Sequence, residues 1–169
     1  MPCALLAILA VAAVAFLPAV EVRGAIPLAY ALLKGCGNLL WVGVAVAVAS
    51  NALVAPAALH ILSRIESWLL RRSGGFWGRV RNAYLRVVER ASRRKDVVER
   101  WGAIGLAVFV AIPVPGSGAW TGALIAHVLR MGRGRALASI IAGVAAASLA
   151  VTLAVEGVLN LAAFLRGLG

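Results

Sequence analysis

The sequence predicts an all-helical integral membrane protein built from two inverted repeats, and three observations support this. The 169 residues are 63% hydrophobic with a mean hydropathy of +0.96, which is too apolar for a soluble domain with a solvated surface. The apolar residues form four blocks, with one strongly basic stretch in the middle of the chain. Two Gly/Pro-rich breaks interrupt the apolar pattern, as expected where helices enter a bilayer and turn back.

The charge balance and the cysteine content exclude several other classes of protein. Seventeen basic residues against six acidic ones give a net charge of +11. In a membrane protein this excess indicates anionic headgroups and cytoplasmic loops rather than nucleic acid as the partner. Only Cys3 and Cys36 carry thiols, both beside apolar stretches, so neither a disulfide framework nor a metal site is predicted. We expect no cofactor.

The apolar blocks comprise residues 3–20, 25–62, 101–129 and 136–165. They divide the chain into a first repeat at 1–62, a linker at 63–100 and a second repeat at 101–169. Each repeat consists of a re-entrant helical hairpin followed by a transmembrane helix: hairpin 3–35 and helix 38–62 in the first, hairpin 101–131 and helix 136–158 in the second.

The linker is predicted to be a basic amphipathic helix. The stretch from Arg64 to Arg100 holds 11 of the 17 basic residues. Its apolar residues recur at spacings of three and four: Trp77, Val80, Tyr84, Val87, Val88 and Ala91. Basic residues in short loops favour the cytoplasmic side, so we expect the linker there, either on the membrane surface or as a solvated helix.

The two halves share an order of parts that indicates a duplication. An offset of 94 residues aligns Gly24, Ala25 and Ala29 with Gly118, Ala119 and Ala123. In each half an apolar arm leads to a break, a short apolar return, a glycine turn and a long apolar span.

Two membrane topologies are compatible with this order. If each half is a pair of ordinary spans, Arg130, Arg133 and Arg135 lie outside together with Lys34. If each break is instead the tip of a re-entrant hairpin, those three arginines join the linker in the cytoplasm, which the positive-inside tendency favours. We predict the re-entrant arrangement in the inner membrane.

The second break is predicted to form an anion site at mid-membrane depth. Pro113 and Pro115 interrupt helical hydrogen bonding, and Gly116 and Gly118 permit unusual backbone dihedrals. A new helix over 119–130, with Ser117 as its N-cap, would direct free N–H groups into the break. The alternative is a proline kink in which small residues pack against a neighbouring helix.

The first break, at residues 21–27, carries charge. Glu21 and Arg23 flank it with Gly24 and Pro27, and ionisable residues inside a membrane indicate function. Two residues apart, the two side chains would not face each other on a regular helix. Either the backbone is unwound there or each side chain has its own partner. A plain extracellular loop is the other interpretation.

Both breaks resemble the signatures of the putative small multidrug export protein family. Residues 21–27 read EVRGAIP and residues 113–122 read PVPGSGAWTG. The family patterns are E-x-R-G-x-I-P and P-x-P-G-T-G-A-W-T-G, from which this chain departs at Ser117. More distantly, the hairpins are similar to those of the DedA superfamily, which includes polyprenyl-phosphate and phospholipid carriers. The DedA hairpin carries arginines around its proline tip, and this chain has none between Pro113 and Gly122.

The resemblance and the residues together predict a transporter, without catalytic residues, that moves an amphipathic, anionic molecule or lipid with proton coupling. Alternatives are a DedA-like lipid translocase or scramblase, and an enzyme using Ser117 with His127. A homodimer through the small-residue face of the last span is also compatible. The expected substrate- or ion-binding residues are Glu21, Arg23, Gly24, Pro27, Asn51, Pro113, Pro115, Gly116, Ser117, Gly118, Trp120 and Thr121.

Overall fold

The computed structural model describes residues 2–18, 20–71, 75–92, 95–114 and 116–167. Every regular element in these ranges is helical, as the sequence predicts. The helices are α1 (Pro2–Phe16), α2 (Glu21–Leu33), α3 (Leu39–Leu70), α4 (Gly75–Ser92), α5 (Lys95–Ala111), α6 (Ala119–Val128) and α7 (Arg133–Arg166), with a 3-10 turn at Lys34–Cys36.

In the described part of the chain, two helices are long and apolar enough to cross a membrane, α3 and α7. With 32 and 34 residues they rise roughly 48 and 51 Å, beyond the ~30 Å of a hydrocarbon core. Only 33% of the most apolar window of each is buried within the protein. Leucines such as Leu53, Leu149 and Leu153 are at least 60% exposed, which suits a lipid-facing surface and not a water-facing one.

The short helices pack between these two. Helix α5 lies along α7 and α1 along α3, while α2 and α6 each contact both long helices. Small residues permit the close approach between α5 and α7: a Cβ at Gly143 would come within 2.7 Å of the carbonyl oxygen of Ala107. Helices built from small residues gain their stability in lipid from such close packing.

The order and length of the helices repeat along the chain. Adding 94 to the bounds of α1 gives 96–110, against Lys95–Ala111 for α5. The same offset carries α3 to 133–164, against Arg133–Arg166 for α7. Helix α2 becomes 115–127, whereas α6 begins four residues later at Ala119 because the proline-containing break takes up the difference.

The first break lies earlier than the sequence analysis predicts. Residues 21–27 are the start of α2, and the interruption comes before them, after α1 ends at Phe16. Pro18 explains this shift, since proline disfavours helix in the residue before it. Pro27 is accommodated inside α2, where its missing N–H leaves one carbonyl of the helix without its usual donor.

Several predicted bounds differ from the observed ones. Helix α3 continues to Leu70 and α5 already begins at Lys95, so both enter the segment assigned to the linker. Helix α7 extends beyond 136–158 at both ends. The linker contains α4, on which Val80 and Tyr84 are partly buried and Arg79 and Arg86 are exposed, as its periodicity predicts. The side chains of Val87, Val88 and Ala91 lie outside the described residues.

Candidate functional site

The two breaks meet, although some 90 residues separate them in the chain. The indole Nε1 of Trp120, in the first turn of α6, donates a hydrogen bond of 3.0 Å to the carbonyl oxygen of Phe16, the last residue of α1. The rings of the two residues also pack edge to face with their centroids 6.0 Å apart. This contact holds the end of α1 against the start of α6.

Glu21 lies at the centre of this junction. Its carboxylate Oε2 accepts a hydrogen bond of 3.1 Å from the backbone N–H of Ala119, and Oε1 accepts a longer one of 3.4 Å from that of Trp120. The residue is only 2% exposed, and its φ of 52° falls in the left-handed region. That backbone conformation turns the side chain away from its own helix and toward the N-terminus of α6.

The N-terminus of α6 therefore binds a carboxylate from the other half, and an anion site for a ligand there stays a prediction. Ser117 is not the N-cap: that position is Gly118, which has no side chain to accept from the helix. Glu21 caps α6 across the two halves, where free N–H groups and the positive end of the helix dipole favour negative charge.

Arg23 ties the two breaks together. Its Nη1 donates to Glu21 Oε2 at 3.1 Å, so the residues pair despite their spacing because Glu21 precedes the regular part of α2. Its Nη2 donates to the carbonyl oxygens of Val110 and Ile112, at 3.1 and 2.8 Å, and to Ser117 Oγ at 3.0 Å. One guanidinium thus binds two carbonyls around the end of α5, of which that of Ile112 also accepts from the N–H of Val114.

Ser117 completes the network from the second break. Its Oγ lies 2.7 Å from the carbonyl oxygen of Ile112 and 2.9 Å from that of Val114. A hydroxyl carries one proton, so it donates to one of them at a time while accepting from Arg23. A threonine, the residue in the family pattern, keeps the same hydroxyl.

Gly118 is required by the position of Glu21. A Cβ at Gly118 would lie 1.5 Å from Glu21 Oε2, with both other carboxyl atoms within 2.4 Å. The backbone dihedrals of Gly118 are ordinary extended ones, so the carboxylate alone excludes a side chain here. Gly116, by contrast, has a φ of 88°, which only glycine adopts readily.

The other predicted residues are more dispersed. A Cβ at Gly24 would clash with the side chain of Val20. Pro27 and Pro113 are exposed, and Thr121 is partly buried. Pro115 lies outside the described residues. Asn51 is fully buried in α3, and neither its Oδ1 nor its Nδ2 has a hydrogen-bond partner among the residues the structure describes. Arg23 Nε is unpartnered in the same sense.

Sequence reasoning missed a second polar cluster, in which Glu66 near the end of α3 binds the end of α6. Glu66 Oε2 lies 3.1 Å from His127 Nε2, and both carboxylate oxygens accept from the guanidinium of Arg130. Tyr84 of α4 reaches the same imidazole at 3.2 Å. Burial, and secondly the negative charge of Glu66, raise the pKa of the Tyr84 phenol above its usual value.

A third polar contact joins α2 to α7, where the hydroxyl of Tyr30 donates to Glu156 Oε1 at 2.8 Å. Glu156 and His127 therefore both have protein partners. Ser117 and His127 belong to different networks, so the structure does not bring the hydroxyl and imidazole of the enzyme alternative together.

Comparisons with known proteins identify one family. The model of the family described as "Putative small multi-drug export protein" matches residues 21–150, more than three quarters of the chain. The matched range begins at Glu21 and contains Arg23, the second break and the second polar cluster. No curated protein and no solved structure gives a significant match.

Proposed function

Because the chain belongs to the small multi-drug export protein family, we propose that it is a proton-coupled transporter of amphipathic anions, with its binding site at the junction of the two breaks. The observation that carries the proposal is the network in which the buried Glu21 and the partly buried Arg23 of one half hold the break of the other. An acid and a base withdrawn from water in a membrane protein point to a substrate or proton path.

In the proposed mechanism, substrate anion and Glu21 compete for the same donors. The ionised carboxylate occupies the guanidinium of Arg23 and the N–H of Ala119. When Glu21 takes up a proton it loses the charge that holds these donors, and an anionic group of the substrate replaces it. Proton uptake and anion binding are thereby coupled at one position.

An apolar groove beside the junction supports an amphipathic substrate. It has a volume of about 330 Å³ and is lined by Pro113 of the second break and by six residues of α7: Ala150, Val151, Ala154, Val155, Val158 and Leu159. The carbonyl oxygen that Arg23 binds most closely, that of Ile112, belongs to the residue before Pro113. An apolar tail in this groove would bring its charged head near Arg23.

We further propose that the halves are inverted repeats with re-entrant hairpins. Helices α1, α2 and α6 have 15, 13 and 10 residues, fewer than the ~20 that a single crossing requires. Two such hairpins entering from opposite faces would meet near the midplane at their breaks. The positive-inside tendency then supports an inner-membrane orientation with α4 on the cytoplasmic surface.

The test uses proteoliposomes of the purified chain loaded with a naphthalene sulfonate, an amphipathic anion, and with pyranine as a proton indicator. We expect an imposed pH gradient to accelerate sulfonate movement together with proton flux. Glu21→Gln and Arg23→Ala should abolish both, whereas Glu89→Gln, which changes an exposed carboxylate on α4, should retain them.

Folding is checked by size-exclusion chromatography of each variant. Full activity in both junction variants would refute the mechanism. A DedA-like scramblase would instead equilibrate a fluorescent phosphatidylglycerol between leaflets without any gradient, and transport of ethidium alone would mean a cationic substrate.

A further inference from the structure

A polar pocket at the far end of α6 is separate from the junction. It has a volume of about 190 Å³ and lies where α3, α6 and α7 meet. Its lining consists of Leu59, Ser63, Glu66, His127, Arg130, Met131 and Arg133. Helix α6 has ten residues and so spans roughly 15 Å between this pocket and Glu21, which makes the two sites distinct.

Among the residues that the structure describes, the charges around the pocket leave one cation uncompensated. Glu66 is the lining acid, and its carboxylate is bound by Arg130 and His127. Arg133 lines the same pocket, is exposed, and makes no ion pair or hydrogen bond with any residue that the structure describes. Within the described lining, the pocket therefore presents a guanidinium without a partner beside a carboxylate that is already neutralised.

The start of α7 also favours a bound anion. Arg133 is the first residue of that helix, Gly132 provides no capping side chain, and the first turn contains Arg135 but no acid. Cations at a helix N-terminus oppose the helix dipole, and the first N–H groups have no intrahelical acceptor. An anion bound against Arg133 would satisfy the guanidinium and these N–H groups together.

We propose that this pocket binds a phosphate group, carried by an anionic phospholipid or supplied as free phosphate. Phosphate suits the planar fork of an arginine and the N–H groups of a helix start. The pocket is too small for a nucleotide but accommodates a phosphate with its ester oxygens. The site is independent of transport, and its binding is measurable without any substrate.

Native mass spectrometry of the purified chain in neutral detergent tests the proposal, with phosphatidylglycerol, phosphatidylcholine and inorganic phosphate as separate probes. We expect a tightly held phosphatidylglycerol, which Arg133→Gln should weaken roughly tenfold, the scale of one lost hydrogen bond to a charged group. Arg135→Gln is the matched control: it removes the same charge two residues on, from an exposed arginine outside the pocket.

Ser63→Leu tests the volume of the pocket independently of its charge, because leucine fills the space without altering any ionised group. This variant should also weaken binding. Inorganic phosphate that competes with phosphatidylglycerol, or that raises the melting temperature in an Arg133-dependent way, would show that the pocket accepts free phosphate. Binding of the lipid alone would show that the headgroup is the ligand. Equal losses in Arg133→Gln and Arg135→Gln, or no preference over phosphatidylcholine together with no effect of phosphate, would overturn the proposal.

Discussion

Glu21 combines an unfavourable backbone conformation with strong hydrogen bonds. A non-glycine residue in the left-handed region costs about 1–2 kcal/mol. The carboxylate accepts from Ala119 N and from Arg23, and each hydrogen bond to a charged group contributes about 1.5–3 kcal/mol. The bonds therefore outweigh the strain, provided the carboxylate stays ionised. The proposed coupling rests on this balance, because a neutral carboxyl would hold the two donors less strongly than a carboxylate does.

Gly118→Ala tests this arrangement at the level of one methyl group. The new Cβ would displace the Glu21 carboxylate, so we expect a loss of about 3 kcal/mol in the free energy of unfolding, from the bonds to Ala119 and Arg23. In a Glu21→Ala background the clash is absent, and the same substitution should cost less than about 1 kcal/mol. Chemical denaturation in detergent measures both.

Gly132→Ala is the control for an alanine at an N-cap, because Gly132 holds that position before α7 and a Cβ there meets nothing within 4 Å. If Gly118→Ala costs the same with and without Glu21, the carboxylate does not occupy the space that the structure gives it.

Helices α2 and α6 are each anchored near both ends to the opposite half. The first turn of α6 binds Glu21, and His127 near its C-terminal end binds Glu66 of α3. Helix α2 supplies Arg23 to the second break, and Tyr30 in its last turn binds Glu156 of α7. Each long helix thus holds, through a carboxylate near its C-terminal end, the short helix of the other half. The two halves are interlocked by polar contacts as well as packed together.

Tyr30→Phe tests one of these anchors. It removes the donor to Glu156, and we expect a loss of about 1.5–3 kcal/mol in the free energy of unfolding. A double-mutant cycle with Glu156→Gln should show coupling between the two positions. Tyr84→Phe is the matched control, since it deletes the other tyrosine hydroxyl of the chain. Its effect on the free energy of unfolding should be additive with that of Glu156→Gln. Additive effects at Tyr30 would mean that its hydrogen bond does not stabilise the fold.

At the scale of the whole molecule, local sequence patterns predict where the helices lie, but they do not predict which helices contact each other. The prolines and glycines of the second break and the stripe through Val80 and Tyr84 are local signals, and the structure has a break and an amphipathic helix there. The sequence analysis places the first break too late, at residues 21–27, because Pro18 gives a weaker signal than the charged pair Glu21 and Arg23. The capping of α6 by Glu21 spans 98 residues, and no periodicity reports such a contact.

The membrane topology of the two halves follows from the same helices and is directly testable. In the re-entrant arrangement the turn after α2 and the turn after α6 face opposite sides of the membrane; with ordinary spans both lie on the same side. Cys36, in the first turn, is exposed and is a natural probe. A cysteine at Arg133, also exposed, marks the second turn. A site at Ala119, in contrast, would be unreactive because Ala119 is fully buried.

The experiment applies a membrane-impermeant thiol reagent to right-side-out and inside-out vesicles of variants that carry Cys3→Ser. We expect Cys36 to be labelled from outside. In the variant that also carries Cys36→Ser and Arg133→Cys, we expect the new cysteine to be labelled from the cytoplasmic side. The positive-inside tendency gives the same orientation, because it assigns Arg130, Arg133 and Arg135 to the cytoplasm with the basic linker. Labelling of both sites from one face would mean that α2 and α6 complete ordinary crossings. The hairpins would then not be re-entrant, and the proposed coupling between two inverted halves would lose its basis.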